Sequence, residues 1–307
     1  MQPDGQDDAG QRRKALVAVH LAVLLFGLSG LFAKLLSLSP LVIVFGRTAW
    51  ASLALVLMLT IRGQLHLPHV RDRHLLLVSG AILAAHWFAF FESIRVSSVA
   101  VGLVTFSSFP LFVTFLEPFF FKASLQRQDL ASAALVVGGL LLVVPTYSFA
   151  NQVTLGAFWG ICSGASFAVL ALMNRRFSLR NSALAIAAVQ NSLATLILLP
   201  FVWQRGILFQ AYDFLYLMVL GIVCTALAHA LFISGLARIR AQTASVLAGL
   251  EPVYGIAFAF LLLGERPALR TLLGGGVILT AVLLASLGRS EPGPAALGSK
   301  GLIRHAR

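Results

Sequence analysis

The chain has 307 residues, 59% of them hydrophobic and only 11% charged, with a mean hydropathy of +0.90. Soluble domains carry about 25% charged residues, so a water-soluble globule is excluded and an integral membrane protein is expected. A net charge of +12 and a pI near 11.0 bring nucleic acid to mind as a partner, but the basic residues are parcelled among short links between apolar runs, which sets it aside.

Ten runs approach the roughly 20 apolar residues that a helix needs to cross a bilayer. Residues 1 to 14 are polar and are expected to be a cytoplasmic tail, disordered through about residue 11. The first run, 15 to 35, follows Arg12, Arg13 and Lys14 as a signal peptide would. It is long and lacks a small-residue cleavage site, so it is expected to be retained as a span. The second run, 41 to 61, contains Arg47; the third, 75 to 94, contains "HWFAFFE" with His86, Trp87 and Glu92. The fourth, 99 to 121, contains "FSSFPLFVTFLEPFFF" with Phe106, Phe109, Pro110 and Glu117, and the fifth covers 130 to 147.

The segment "TYSFANQVT" separates these from a second set at 155 to 173, 183 to 203, 214 to 235, 242 to 263 and 269 to 288. His229 lies in the eighth run, and Glu251 with Pro252 in the ninth, inside "LAGLEPVYG". Residues 289 to 307 are expected to be a second cytoplasmic tail. Cys162 and Cys224 stand alone among apolar residues, with no disulfide or metal-site spacing, so no metal or other cofactor is expected.

The basic residues alternate between the two sides of this predicted bundle. One side collects Arg12, Arg13, Lys14, Arg62, Arg71, Arg73, Lys122, Arg127, Arg175, Arg176, Arg180, Arg238, Arg240 and the C-terminal cluster; the other has Lys34, Arg95, Arg205, Arg266 and Arg270. By the positive-inside rule both termini are cytoplasmic.

A shift of about 142 residues lays the fourth run on the ninth, Pro110 on Pro252, and the fifth on the tenth. Ala134 and Gly138 then fall on Gly276 and Thr280, small residues four apart that suit close helix crossing, and Arg47 falls near Gln190. A repeat of five spans is odd, so its second copy begins on the opposite side of the membrane. The expected fold is an all-α membrane protein of ten transmembrane helices in two inverted five-helix repeats, 15 to 147 and 154 to 288. Secondary transporters use this plan, with a midplane site beside broken helices, and Pro110 and Pro252 are the expected helix-break positions.

The pattern resembles the EamA-type transporters of the drug/metabolite transporter superfamily. Its most specific element is "QTASVLAGLEPVYGIAFAFLLLGERP", with the Glu251-Pro252 pair and the later Gly264-Glu265-Arg266; Lys34 and Arg47 match basic residues of the first repeat. The first copy departs from this pattern, with Phe109 before Pro110 and "FKASLQ" in place of Gly-Glu-Arg. The first span has no acidic residue, so the proton-for-drug exchange of the small multidrug members is not implied. The resemblance implies a secondary transporter of the exporter type for a small organic metabolite in the bacterial inner membrane. A small-molecule substrate and the lipid bilayer are then the partners, with a homodimer left open.

Ionisable groups inside a membrane each cost about 2.5–3.5 kcal/mol. Glu92 and Glu117 lie near span ends, where they can reach interfacial water. Glu251 has no such escape and must be paired, protonated or facing a wet cavity. Two roles are open to it: bordering a substrate cavity, or accepting bonds from backbone freed near Pro252. Arg47 is the natural group to balance a carboxylate, as a substrate contact or a helix-packing pair. His86 and His229 sit near mid-depth as proton relays or hydrogen-bonded packing residues, with His20 a weaker candidate. Trp87, Phe106 and Phe109 are candidates for an aromatic cavity wall. An amino acid or related zwitterion suits such a combination.

One rival belongs to another class. "GLSG", Gly27 to Gly30, matches the surroundings of the rhomboid protease nucleophile, and His86 or His229 would be its base. A non-transporting receptor or scaffold is the other alternative.

Overall fold

A computed structural model describes residues 4–65, 69–121, 127–146, 148–204, 210–239 and 241–287. Every regular element among them is helical. α1 (Asp4–Ser29) and the short α2 (Phe32–Leu35) make the first span, followed by α3 (Pro40–Ile61) and α4 (Arg73–Val96). The fourth span is two pieces, α5 (Val99–Phe106) and α6 (Phe109–Phe121), and α7 (Arg127–Val143) follows. α8 (Gln152–Phe177) and α9 (Ala183–Trp203) are continuous. α10 (Ala211–Gly221) and α11 (Ala228–Leu236) flank a π-helical turn at Ile222–Leu227. The ninth span is again divided, into α12 (Ala241–Ala248) and α13 (Glu251–Phe258) with a π-helical end at Ala259–Leu263, and α14 (Leu269–Leu287) is last.

Among the described residues, eight helical stretches are long and apolar enough to cross a membrane. The expected fifth and tenth spans are shorter, with apolar stretches at Leu130–Val143 and Leu269–Leu284. At 1.5 Å per residue the former covers about 20 Å, less than a hydrocarbon core of about 30 Å. The N-terminal tail also differs from expectation: from Asp4 onward it is helix continuous with α1. Gln11, Arg12, Arg13, Lys14 and Ala15 are all good helix formers, and they extend the span outward. The predicted C-terminal tail lies outside the described residues.

Both divided spans break in the same register. α5 ends at Phe106 and α6 restarts at Phe109; α12 ends at Ala248 and α13 restarts at Glu251. Pro110 and Pro252 each occupy the second position of the new helix, where a first-turn N–H has no acceptor within its own helix and its absence costs little.

α4 packs on α8 and α9, α3 on α9, and α1 on α11 and α13, while α5 and α6 lie along α8. α8 admits α5 because Gly160 and Gly164 face it: a Cβ on Gly164 would stand 2.8 Å from the Phe106 carbonyl oxygen. α7 and α14 form an outer pair joined to α5 by Val101, Val104, Val136 and Ile278. Their close crossing is at Gly139 and Gly274, where each added Cβ would lie within 2.8 Å of the other residue's carbonyl oxygen. The expected stripe at Gly138 and Gly276 faces open space instead. The idea of a small-residue crossing holds, but the face is one residue round α7 and two residues round α14.

Candidate functional site

α1, α3, α4, α5, α8, α11 and α13 converge on one small cavity of about 20 Å³. Arg47, His86, Trp87, Phe106, His229 and Glu251 all line it. Phe109 does not: it stacks behind Phe106 with ring centres 5.2 Å apart and meets Phe167 edge-on at 5.1 Å. The reason is the helix break, which turns the first residue of α6 away from the cavity and into the aromatic core.

Arg47 is 1% exposed and comes from the middle of α3. Its Nε donates to Thr225 Oγ1 at 2.9 Å, and Nη2 reaches the Cys224 carbonyl at 3.5 Å. Both acceptors belong to the π-helical turn, a wider winding that offsets backbone carbonyls from the regular ladder and is frequent at functional sites. The guanidinium carbon lies 4.0 Å from the Trp87 ring centre and 5.2 Å from that of Phe91. Nη1 is buried with no partner. The expected balance of Arg47 against Glu251 is not a direct contact, because no ion pair joins them within 4.0 Å.

Glu251 is 3% exposed and is the first residue of α13. Among the described residues its carboxylate accepts no hydrogen bond, so it does not serve the backbone around Pro252. Its position at a helix start places the positive end of the α13 dipole beside its charge. Glu251 and Arg47 therefore face one cavity, each held by its own helix, with no ion pair between them.

His86 Nδ1 lies 3.0 Å from both the Ser163 carbonyl and Ser163 Oγ, and its ring packs 5.0 Å from Phe167. His229 Nδ1 lies 3.3 Å from Asn191 Nδ2, and its ring meets Trp87 edge-on at 5.9 Å. His20 is remote from the cavity lining and pairs with Tyr254 Oη at 2.8 Å. Asn174, a cavity residue not singled out from sequence, accepts from Gln190 Nε2 at 2.7 Å, and Gln190 also reaches Ser79 Oγ at 2.8 Å. The dipeptide Gln190-Asn191 inside an apolar run was the available signal: two adjacent amides in a membrane span need partners.

Ser29 also lines the cavity, but its hydroxyl donates to Phe26 O at 2.7 Å and to neither histidine. Gly27 serves a close crossing, since a Cβ there would stand 3.0 Å from Gly255 N of α13. Gly27 and Ser29 of "GLSG" thus serve a helix contact and a bond within α1.

Away from the cavity, Glu117 does not snorkel. It is 1% exposed and pairs with Arg175 at 3.1 Å, whose guanidinium covers Phe121 at 4.4 Å. Asp72 is likewise buried, held by Arg180 at 3.2 Å and Asn181 at 2.9 Å. At the other end of the bundle Glu265 accepts from Val99 N and Ala100 N, both at 3.2 Å, and caps α5. Gly264, with φ +65°, makes the left-handed turn that aims it there.

Long apolar helices around a small cavity lined by buried ionisable residues define a multi-pass membrane protein with a buried polar site. The model of the EamA-like transporter family matches residues 13–144 and again 154–287. The chain belongs to that family and is a membrane transporter by class. It is 24% identical over 94% of its length to the uncharacterized transporter YxxF of Bacillus subtilis, covering 94% of that protein. It is 28% identical over 91% of its length to the uncharacterized inner membrane transporter YicL of Salmonella typhimurium, covering 97% of it. A solved crystal structure shares the fold with a TM-score of 0.67 at 16% identity, over 89% of this chain and 96% of that one.

Proposed function

We propose that the protein is a secondary transporter that exports a small organic metabolite, an amino acid or related zwitterion, by alternating access around the central cavity. The observation that carries this reading is the presence of Arg47 and Glu251 on the wall of one cavity, both buried and not paired with each other. Two buried ionisable groups with no ion pair between them are costly in a membrane interior, and a zwitterion partners both at once. Its carboxylate would take the free Nη1–H of Arg47, its ammonium Glu251, and its apolar part the wall of Phe90, Phe106 and Phe167.

A cavity of about 20 Å³ has room for roughly one water, whereas small-molecule sites measure about 300 Å³ or more. This conformation is closed, and a substrate requires the bundle to open. Two inverted repeats, 15 to 147 and 154 to 288, supply the moving halves. Supporting this, the main contacts exchange when the halves are swapped: α1 on α11 answers to α8 on α4, and α13 on α1 to α6 on α8. Both tails would be cytoplasmic, in the inner membrane of a bacterium.

The test is a counterflow screen of purified protein in liposomes against amino acids, amines, sugars and nucleotides. Exchange of amino acids that is lost on Glu251→Gln supports the proposal. No counterflow with any of the four would favour a receptor or scaffold. Comparing transport with and without an imposed pH gradient separates proton antiport from facilitated diffusion.

A further inference from the structure

A larger hollow than the central cavity lies away from it. A groove of about 570 Å³ runs between α5, α13 and α14. Its walls are apolar, from Val104, Val253, Ile256, Phe260, Leu272 and Leu279, and Gly249, Gly275 and Gly276 widen its floor. The groove follows α14 from Thr271 to Val282, about 16 Å at 1.5 Å per residue. It borders Gly249 and Pro252 at the helix break, next to Glu251.

One charged residue stands on its rim. Arg266 sits in the link between the last turn of the ninth span and α14, where the chain leaves the apolar layer. Among the described residues Arg266 has no hydrogen bond or ion pair. The other described cations at that end are engaged: Lys34 with Ser97 O, Arg95 with Glu92, and Arg270 with the Leu142 and Val144 carbonyls. The carboxylates there are committed as well. Glu92 holds Arg95, Glu265 caps α5, and Asp213, which accepts from Gln210 N at the start of α10, is buried out of a partner's reach.

We propose that this groove binds a membrane phospholipid, with the phosphate at Arg266 and an acyl chain along α14 towards the Gly249–Pro252 break. The rim calls for an anion that the described part of the chain does not provide, and the walls call for an alkyl chain. An apolar hollow left empty forfeits the dispersion contacts of its lining, and an Arg guanidinium forms charge-assisted bonds with phosphate oxygens. A second copy of the chain fits less well, because the carboxylates it would bring at this level are already bonded. The proposal stands apart from the identity of the transported substrate.

The test uses the full chain purified in mild detergent with phosphatidylglycerol added, read by native mass spectrometry and by the shift in thermal unfolding. Wild type should retain one lipid in preference to the rest and melt higher with it. Arg266→Ala should weaken that binding about fivefold, the equivalent of about 1 kcal/mol for one surface cation. Gly276→Leu should abolish it by filling the groove, where an added Cβ meets nothing within 4 Å. Leu261→Ala, on an exposed face outside the groove, should change nothing. Equal retention by wild type, Arg266→Ala and Gly276→Leu would overturn the proposal. So would a wild-type dimer that Gly276→Leu dissociates while lipid retention stays unchanged.

Discussion

The guanidinium carbon of Arg47 stands 4.0 Å from the centre of the Trp87 ring, and neither residue is ion-paired to the carboxylate that shares their cavity. The aromatic face stabilises a cation that the fold has otherwise taken out of water. A desolvated contact of this kind contributes about 2 kcal/mol. Trp87→Leu should therefore lower the thermal midpoint in detergent more than Trp87→Phe, which keeps a ring. Equal losses would mean that apolar volume alone matters at this position.

Glu251 accepts no hydrogen bond among the described residues, so its removal leaves no described donor unsatisfied. Glu251→Gln should keep the thermal midpoint within a few degrees of wild type and lower counterflow at least about tenfold, corresponding to about 1.4 kcal/mol. Wild-type counterflow in the well-folded variant would remove Glu251 from the transport site.

Glu117 and Arg175 form a buried pair at 3.1 Å. Removing one partner of such a pair costs about 3–5 kcal/mol, because the other charge is stranded. Glu117→Ala should be strongly destabilised, while Glu117→Leu combined with Arg175→Met should recover most of the loss. Midpoints of thermal unfolding measured on all three proteins decide it.

Glu265 caps α5 with two bonds from backbone N–H groups. Glu265→Ala should lose about 1–2 kcal/mol of stability. Hydrogen exchange should quicken first at Val99 and Ala100, and unchanged exchange there would refute the cap.

Gly138 and Gly139 are neighbours with opposite expected fates. Gly139 touches Gly274 across the α7 and α14 crossing, whereas a side chain on Gly138 meets open space. Gly139→Leu should give poorly folded, protease-sensitive protein, and Gly138→Leu should express as wild type does.

Much of this architecture can be read in one dimension. A hydropathy run reports a membrane helix without reference to any partner, because lipid imposes the same requirement all along the chain. The shift of Pro110 onto Pro252 foretells that both spans are divided in one register, as α5 with α6 and α12 with α13 are. Six of the seven candidate cavity residues do share one cavity, since polar groups deep in apolar runs have few places to go. Phe109 escaped that logic: an aromatic ring is equally at home on a cavity wall or behind it, and only the turn at Ser107 and Ser108 put it behind.

Sequence by itself determined that this is a helical membrane chain with two related halves and a carboxylate deep in an apolar run beside a proline. Tertiary structure alone decided what these groups face. Arg47 turned to Thr225 and Trp87 rather than to Glu251, Glu117 found Arg175 from another span, and the close crossing of α7 and α14 fell at Gly139 and not Gly138. Hydropathy is a property of each residue along the chain, but a helix turns 100° per residue. A π turn or a one-residue rotation therefore reassigns every partner without altering the pattern of apolar and polar residues.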